Sequence, residues 1–199
     1  MMKIPEDGYI YRMASIDNGS NTLGLSIIDL DLRSGELVVK YSETCTATKT
    51  AGRYADLAER HGDRFARFKV LREFLTDIFN GFDPDVVVVE TPFMHRHPSA
   101  YAVLREAMMM ITETVYDFDS QMELIGVTPM EAKRAVGAQR YDKGKDPIRT
   151  AVLELNDVYY ENGINKELLD EHCIDSIAVS YYHAQEILKQ LRRGQHHAP

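Results

Sequence analysis

The chain has 199 residues, enough for one α/β domain with its own core and too few for two of ordinary size. At 44% apolar and 27% charged residues it is neither disordered nor fibrous in composition, and no apolar run approaches the roughly 18 residues needed to cross a bilayer. A net charge of −8 argues against nucleic-acid binding through overall charge, and two cysteines without a CxxC pair argue against a disulfide framework or a structural zinc site. That cysteine usage fits a reducing, cytoplasmic setting.

The opening MMKIPEDGYIYR lacks the apolar core of a signal peptide and reads as a flexible polar lead-in over residues 1–12. Residues 13–30, MASIDNGSNTLGLSIIDL, predict a short strand, a tight turn and an apolar strand; ELVVKYSE (36–43) predicts a third strand after the Arg33-Ser34-Gly35 turn. From Arg53 to Phe79, Leu57, Phe65, Phe68, Leu71, Leu75 and Ile78 recur at helical spacing. VVVVE (86–90) is an uninterrupted β-branched run, as in a strand covered on both faces. A methionine-rich helix is expected from Pro98 to about Tyr116, and a second buried strand from Glu123 to Val127. Thr128-Pro129 then marks a helix start, with short helices over 129–137 and 147–161. Lys166 to Arg193 predicts one or two final helices before a flexible tail at 194–199. Antiparallel opening strands followed by buried strands alternating with helices indicate a single α/β domain over residues 1–199, a mixed sheet flanked by helices.

Three acids stand out. Asp17 and Glu90 each end a predicted central strand; taken singly, each is an ordinary polar strand terminus. As neighbours they would repel, and a hard divalent cation such as Mg2+ relieves that repulsion. Asp175 opens an apolar helical stripe, with His172 three residues and Glu171 four residues before it, so either can share its face. Basic residues cluster at Lys133, Arg134, Arg140, Lys143, Lys145 and Arg149, and again between Arg53 and Arg72.

In this order the segments resemble the RuvC type of Holliday-junction resolvase, within the ribonuclease H-like superfamily. SIDNGSNTLGLSIID is similar to that family's opening strand and glycine turn, and DPDVVVVETPFM to its strand ending in glutamate. TPMEAKRAVGAQRYDKGKDPIRTAV is similar to its lysine segment, and HCIDSIAVSYYH to its terminal acidic helix. The resemblance spans about residues 13–185 and implies a ribonuclease H-like fold. It implies a structure-specific endonuclease that cuts four-way DNA junctions in pairs, using two Mg2+ (or Mn2+), and leaves 5′-phosphate and 3′-hydroxyl ends. Asp17, Glu90 and Asp175 become metal ligands. His172 stands where the family commonly has aspartate, with Glu171 as the alternative. Lys133 and either Lys143 or Lys145 would face the scissile phosphate; Phe93 would stack among bases, and Arg134, Arg140 and Lys143 would contact DNA. The paired cut implies a homodimer, with the 98–116 helix and Met108 to Met110 as a candidate face; a phage or bacterial source fits.

Three other readings share parts of this pattern. SIDNGSNTLGLSIID also resembles the first phosphate loop of actin-like ATPases and exopolyphosphatases, although no second glycine-rich phosphate segment follows. A non-catalytic DNA-binding protein on the same fold, or a nuclease acting on other branched DNA or structured RNA, would keep much of the same sequence pattern.

Overall fold

Strand β1 (Ile10–Asp17) begins inside the expected lead-in, because Tyr11 and Met13 already belong to the core. It pairs antiparallel with β2 (Thr22–Asp31), which pairs antiparallel with β3 (Leu37–Thr46). The β2–β3 connection is fixed by Asp31, whose carboxylate accepts from the Arg33 backbone N–H at 2.8 Å, and by Gly35 at φ 80. Along β3 the register slips by one residue: Ile27 faces Tyr41 and Ile28 faces Val39, leaving Lys40 as the extra residue of a bulge. That slip keeps Leu37 and Val39 on one sheet face and brings Ser42 and Thr44 to the same face.

The computed structural model describes residues 8–94, 98–138 and 147–195. Arg140, Lys143 and Lys145, expected from sequence at the phosphate and DNA contacts, lie outside the described residues, as do most of the expected flexible ends.

Strand β4 (Val86–Glu90) lies parallel to β1, and β5 (Glu123–Val127) parallel to β4. A strand that the sequence reading merged into a helix, β6 (Val158–Tyr160), pairs parallel with β3. Three residues are too few for periodicity to reveal, and it is the ladder to β3 that makes them a strand. The sheet order is β5-β4-β1-β2-β3-β6. β5 is therefore an edge strand with only Val127 buried, not a strand covered on both faces.

The segment from Arg53 to Phe79 is helical for most of its length, as its spacing predicts, but in two pieces. A short α1 (Ala47–Thr50) and a 3-10 turn lead into α2 (Ala55–His61) and α3 (Asp63–Phe82), and the break between α2 and α3 falls at Gly62, whose φ of 93 excludes helical continuation. Helix α4 (Pro98–Phe118) packs with α3 over one face of the sheet, around Ile16, Leu25, Val87, Val89, Leu71, Phe79 and Ile111. Within the Met108–Met110 run, Met110 is buried while Met109 is 56% exposed.

The other face is covered by α5 (Pro129–Ala135), α6 (Pro147–Leu153) and the long α7 (Glu171–Gln195). Its core joins Met13, Ile28, Val88, Val152, Ile174 and Ile177. Thr128 caps α5 in a full capping box: Glu131 N–H donates to Thr128 Oγ1 at 3.3 Å and Thr128 N–H donates to Glu131 Oε2 at 2.8 Å. No helix among the described residues is long and apolar enough to cross a membrane.

The sheet-facing core gives a direct stability comparison. Phe79→Ala empties a fully buried position and should cost about 3–5 kcal/mol in urea unfolding. Phe65→Ala in the first turn of the same helix, where the residue is 60% exposed, should change stability by less than about 0.5 kcal/mol. Comparable losses would contradict this packing.

Candidate functional site

Side chains alternate along a strand, so the face that each acid occupies follows from its neighbours. Met13 and Val88 belong to the core under α7, while Ile16 and Val89 belong to the core under α3 and α4. Asp17 and Glu90 therefore both emerge on the α7 side. Because Ile16 pairs with Val89, they do so at the carboxyl ends of adjacent parallel strands.

Helix α7 brings the third acid to the same place because of Gly24, the cross-strand partner of Asp17 on β2. A Cβ at position 24 would lie 2.2 Å from the carbonyl oxygen of His172, so only glycine lets the first turn of α7 rest directly on the strand. Behind that contact, Ser26 Oγ lies 2.7 Å from Ser176 Oγ and 2.8 Å from Ser42 Oγ, a buried hydroxyl link between α7, β2 and β3. Asp170 accepts from the Cys173 backbone N–H at 3.0 Å and from Thr44 Oγ1 at 2.6 Å, capping the start of α7 and fastening it to β3.

His172 Nδ1 donates to Asp17 Oδ2 at 2.7 Å, and this hydrogen bond holds the imidazole more basic than usual against the opposing effect of partial burial. Glu171 points to solvent, with its carboxylate 3.8 Å from the far ring nitrogen. Of the two alternatives raised by the sequence, His172 is the one beside Asp17. Burial pushes Glu90 up to about 7, and the charges of Asp17 and Asp175 add to the shift while Lys133 opposes it. Asp17, Asp175 and Lys133 are thus within electrostatic reach of Glu90. Among the described residues, no three His, Cys, Asp or Glu side chains are posed as a ready-made cage for an ion.

Lys133 and Arg134 occupy the exposed last turn of α5, and Phe93 is 64% exposed on the loop after β4. The two basic stretches fare differently. Arg53 and Lys69 pair with Glu73 at 2.6 and 3.2 Å, Arg64 pairs with Glu106 at 2.6 Å, and Arg72 pairs with Asp117, so the Arg53–Arg72 stretch is not a free cationic face. Arg149 donates to the backbone carbonyls of Glu167 and Leu169 and serves to anchor α6.

Gly24 and Asp170 were not identified from the sequence as contributors. Their signals were present: a glycine inside an apolar strand marks close backbone approach, and an aspartate immediately before a helical stripe marks a cap.

Glu90 makes the cluster measurable. Its folded-state affinity for a proton exceeds that of the unfolded chain, so the unfolded carboxyl ionises first and stability falls as pH rises from 4.5 to about 7. In the presence of a chelator, Glu90→Gln should be the more stable protein at pH 8, by up to about 3 kcal/mol, and the gap should close by pH 4.5. A pH-independent difference in urea unfolding would refute the crowding of carboxylates.

No family model and no curated protein matches this sequence. Solved structures do. The chain superposes on Thermus thermophilus RuvC with a TM-score of 0.61 at 16% identity, covering 91% of this chain and 96% of that one. The same bacterial protein, solved in complex with a Holliday junction substrate, gives a TM-score of 0.58. The yeast mitochondrial Holliday junction resolvase Ydc2 gives 0.59 at 16% identity, over 96% of this chain and 85% of that one. The fowlpox virus resolvase, in complex with substrate Holliday junction DNA, gives 0.50 at 15% identity, over 90% and 98%. The chain therefore has the fold of the RuvC-type Holliday-junction resolvases, the ribonuclease H-like arrangement that its motifs led us to expect.

Proposed function

We propose that this protein is a divalent-metal-dependent endonuclease that resolves four-way DNA junctions. The observation that carries the reading is the meeting of Asp17, Glu90 and the first turns of α7 at one end of the sheet, with Glu90 pushed up to about 7 by burial and then by the charges of Asp17 and Asp175. The donors are hard carboxylate oxygens, the type preferred by Mg2+ and Mn2+, and an ion bound among them would offset the repulsion between them. Asp17, Glu90 and Asp175 would hold the metal, with His172 as a further ligand or as the group that orients Asp17.

Two bound ions would lower the pKa of an attacking water and offset charge on the departing 3′ oxygen. His172, hydrogen-bonded to Asp17, fixes the orientation of that carboxylate and can carry a proton next to it. Lys133, which already feels the Glu90 charge, offsets charge on the scissile phosphate, with Lys143 or Lys145 as a second cation. Phe93 stacks on a base, and Arg134, Arg140 and Lys143 hold the backbone. The expected ends are 5′-phosphate and 3′-hydroxyl.

Incubation with a synthetic four-way junction and with linear duplex tests this reading. Paired nicks in the junction alone, requiring Mg2+ or Mn2+ and lost by at least about a hundredfold in Asp17→Asn, are the expected result. Equal cutting of both substrates would sink the junction claim, and activity that survives the substitution would sink the metal site. Preferential cutting of flaps or structured RNA would move the substrate while leaving the chemistry in place.

Two cuts related by a twofold axis call for a C2 homodimer. The face of α3 and α4 bearing Phe65 and Met109 is the surface for it, because both side chains are exposed beside a groove formed by Leu57, Phe68 and Met110. Met109→Glu combined with Phe65→Glu should halve the mass seen by light scattering and turn paired cuts into single nicks. An unchanged mass would place the interface elsewhere.

A further inference from the structure

The turn that joins β1 to β2 has no slack. It runs from Asn18 to Asn21, and a Cβ at Gly19 would lie 1.8 Å from the carbonyl oxygen of Thr22. Its far end is tied to the start of α1, because the Ala47 backbone N–H donates to the Asn21 carbonyl at 2.8 Å. Its near end is tied to α4: the Asn18 side chain donates from Nδ2 to the Leu104 carbonyl, in the second turn of that helix, at 3.3 Å. Asparagine is common in turns for two local reasons, a left-handed backbone or a side chain bonded to its own neighbouring backbone. Neither applies at position 18. Among the described residues the only non-glycine with positive φ is Asp83, and Asn18 Oδ1 is buried without a hydrogen-bond partner. One long hydrogen bond set against one unpaired acceptor adds little to stability, so stability does not explain the amide.

The residue before it does. The Asp17 carboxylate is held from the α7 side by His172 Nδ1 at 2.7 Å, while Asn18 is held from the α4 side. The end of β1 is thus gripped by both helical layers. Further along α4, Ile111 and Val115 join the apolar core over the sheet. Such contacts tolerate small sliding movements, whereas the hydrogen bond at Leu104 is directional and fixes a position. Asp17 and Asn18 share one planar peptide unit in a short turn, so a displacement of Asn18 carries Asp17 with it. We infer that Asn18 is a positioning residue: through the Leu104 carbonyl, α4 sets where the Asp17 carboxylate stands relative to Glu90. The same bond links the acids to the helix that carries the exposed Met109. The inference rests on the metal-dependent nuclease reading above and adds to it a residue that acts on the metal site only through its neighbour.

Metal binding measured apart from cleavage tests it. Full-length wild type, Asn18→Leu and Asn18→Gln are titrated with Mn2+ by calorimetry and melted in chelator, with Asp17→Asn as the reference for binding at the acids. Leucine keeps the shape of asparagine and removes the donor, while glutamine keeps the donor. Asn18→Leu should melt within about 4 °C of the wild type in chelator yet bind Mn2+ at least about tenfold more weakly, and Asn18→Gln should recover most of that affinity. If Asn18→Leu does not fold, Asn18→Ala takes its place in the same comparison. Unchanged Mn2+ affinity in the donor-free variant, or an equal loss in Asn18→Gln, overturns the positioning role and leaves the nuclease reading standing. A loss of affinity matched by a fall in melting temperature well beyond that range marks a merely structural role and overturns it too. A wild type whose Mn2+ binding is absent, or survives Asp17→Asn, removes the metal site beneath and overturns both.

Discussion

The space above Gly24 governs how this molecule is assembled. With no side chain on β2 at that point, the backbone of α7 at His172 comes within van der Waals reach of the sheet, and a single methyl group would meet its carbonyl oxygen at 2.2 Å. The buried serines and the Asp170 cap reinforce the approach from either side. Without it, His172 and Asp175 would sit a side chain's thickness further from β1 and β4, and the charge of Asp175 would act less on Glu90. Helix packing and site assembly are here the same event.

That event has an electrostatic cost. A protein selected for stability alone would not bury a carboxyl beside two others, and the elevated proton affinity of Glu90 records the conflict. His172 relieves Asp17 by a direct hydrogen bond, while Glu90 has only the more distant charge of Lys133. The chain's net charge of −8 poses the same problem on a larger scale. Its answer is distribution: most cations of α2 and α3 are consumed in ion pairs, whereas Lys133 and Arg134 stand exposed on α5, with Lys133 in electrostatic reach of Glu90. An acidic protein can thereby offer a small cationic rim where phosphate would meet it, without a cationic surface overall.

The parts legible in the sequence are those whose signals are local. Strands β1 to β4 follow from alternation, the VVVV run and turn residues; the start of α5 follows from Thr128-Pro129, and the acids from their positions at strand ends. The parts that were not legible depend on distant partners. β6 exists because β3 offers it a ladder, and β5 is an edge because no strand among the described residues pairs beyond it. Gly62 breaks a continuous helical periodicity through a backbone angle that spacing does not encode. The choice between Glu171 and His172 turns on the rotation of α7 about its axis. Tertiary contact at Gly24 sets that rotation, so no pattern within DEHCID could have resolved it.

The same rotation links the two halves of the molecule's working end. Helix α7 carries His172 and Asp175 toward the sheet at its first turns, and about two turns later Tyr182 reaches Glu131 in the capping box of α5. Glu131 in turn holds the Thr128 backbone N–H, so the helix that bears Lys133 and Met130 is tied at its start to the helix that bears the acids. A shift of α7 that opened the carboxylate cluster would also move Lys133 and Met130. The separation between the acids and the exposed end of α5 is therefore set by the packing of α5 against α7. For the nuclease proposed above, such packing would hold the contacts to a branched substrate at fixed spacing.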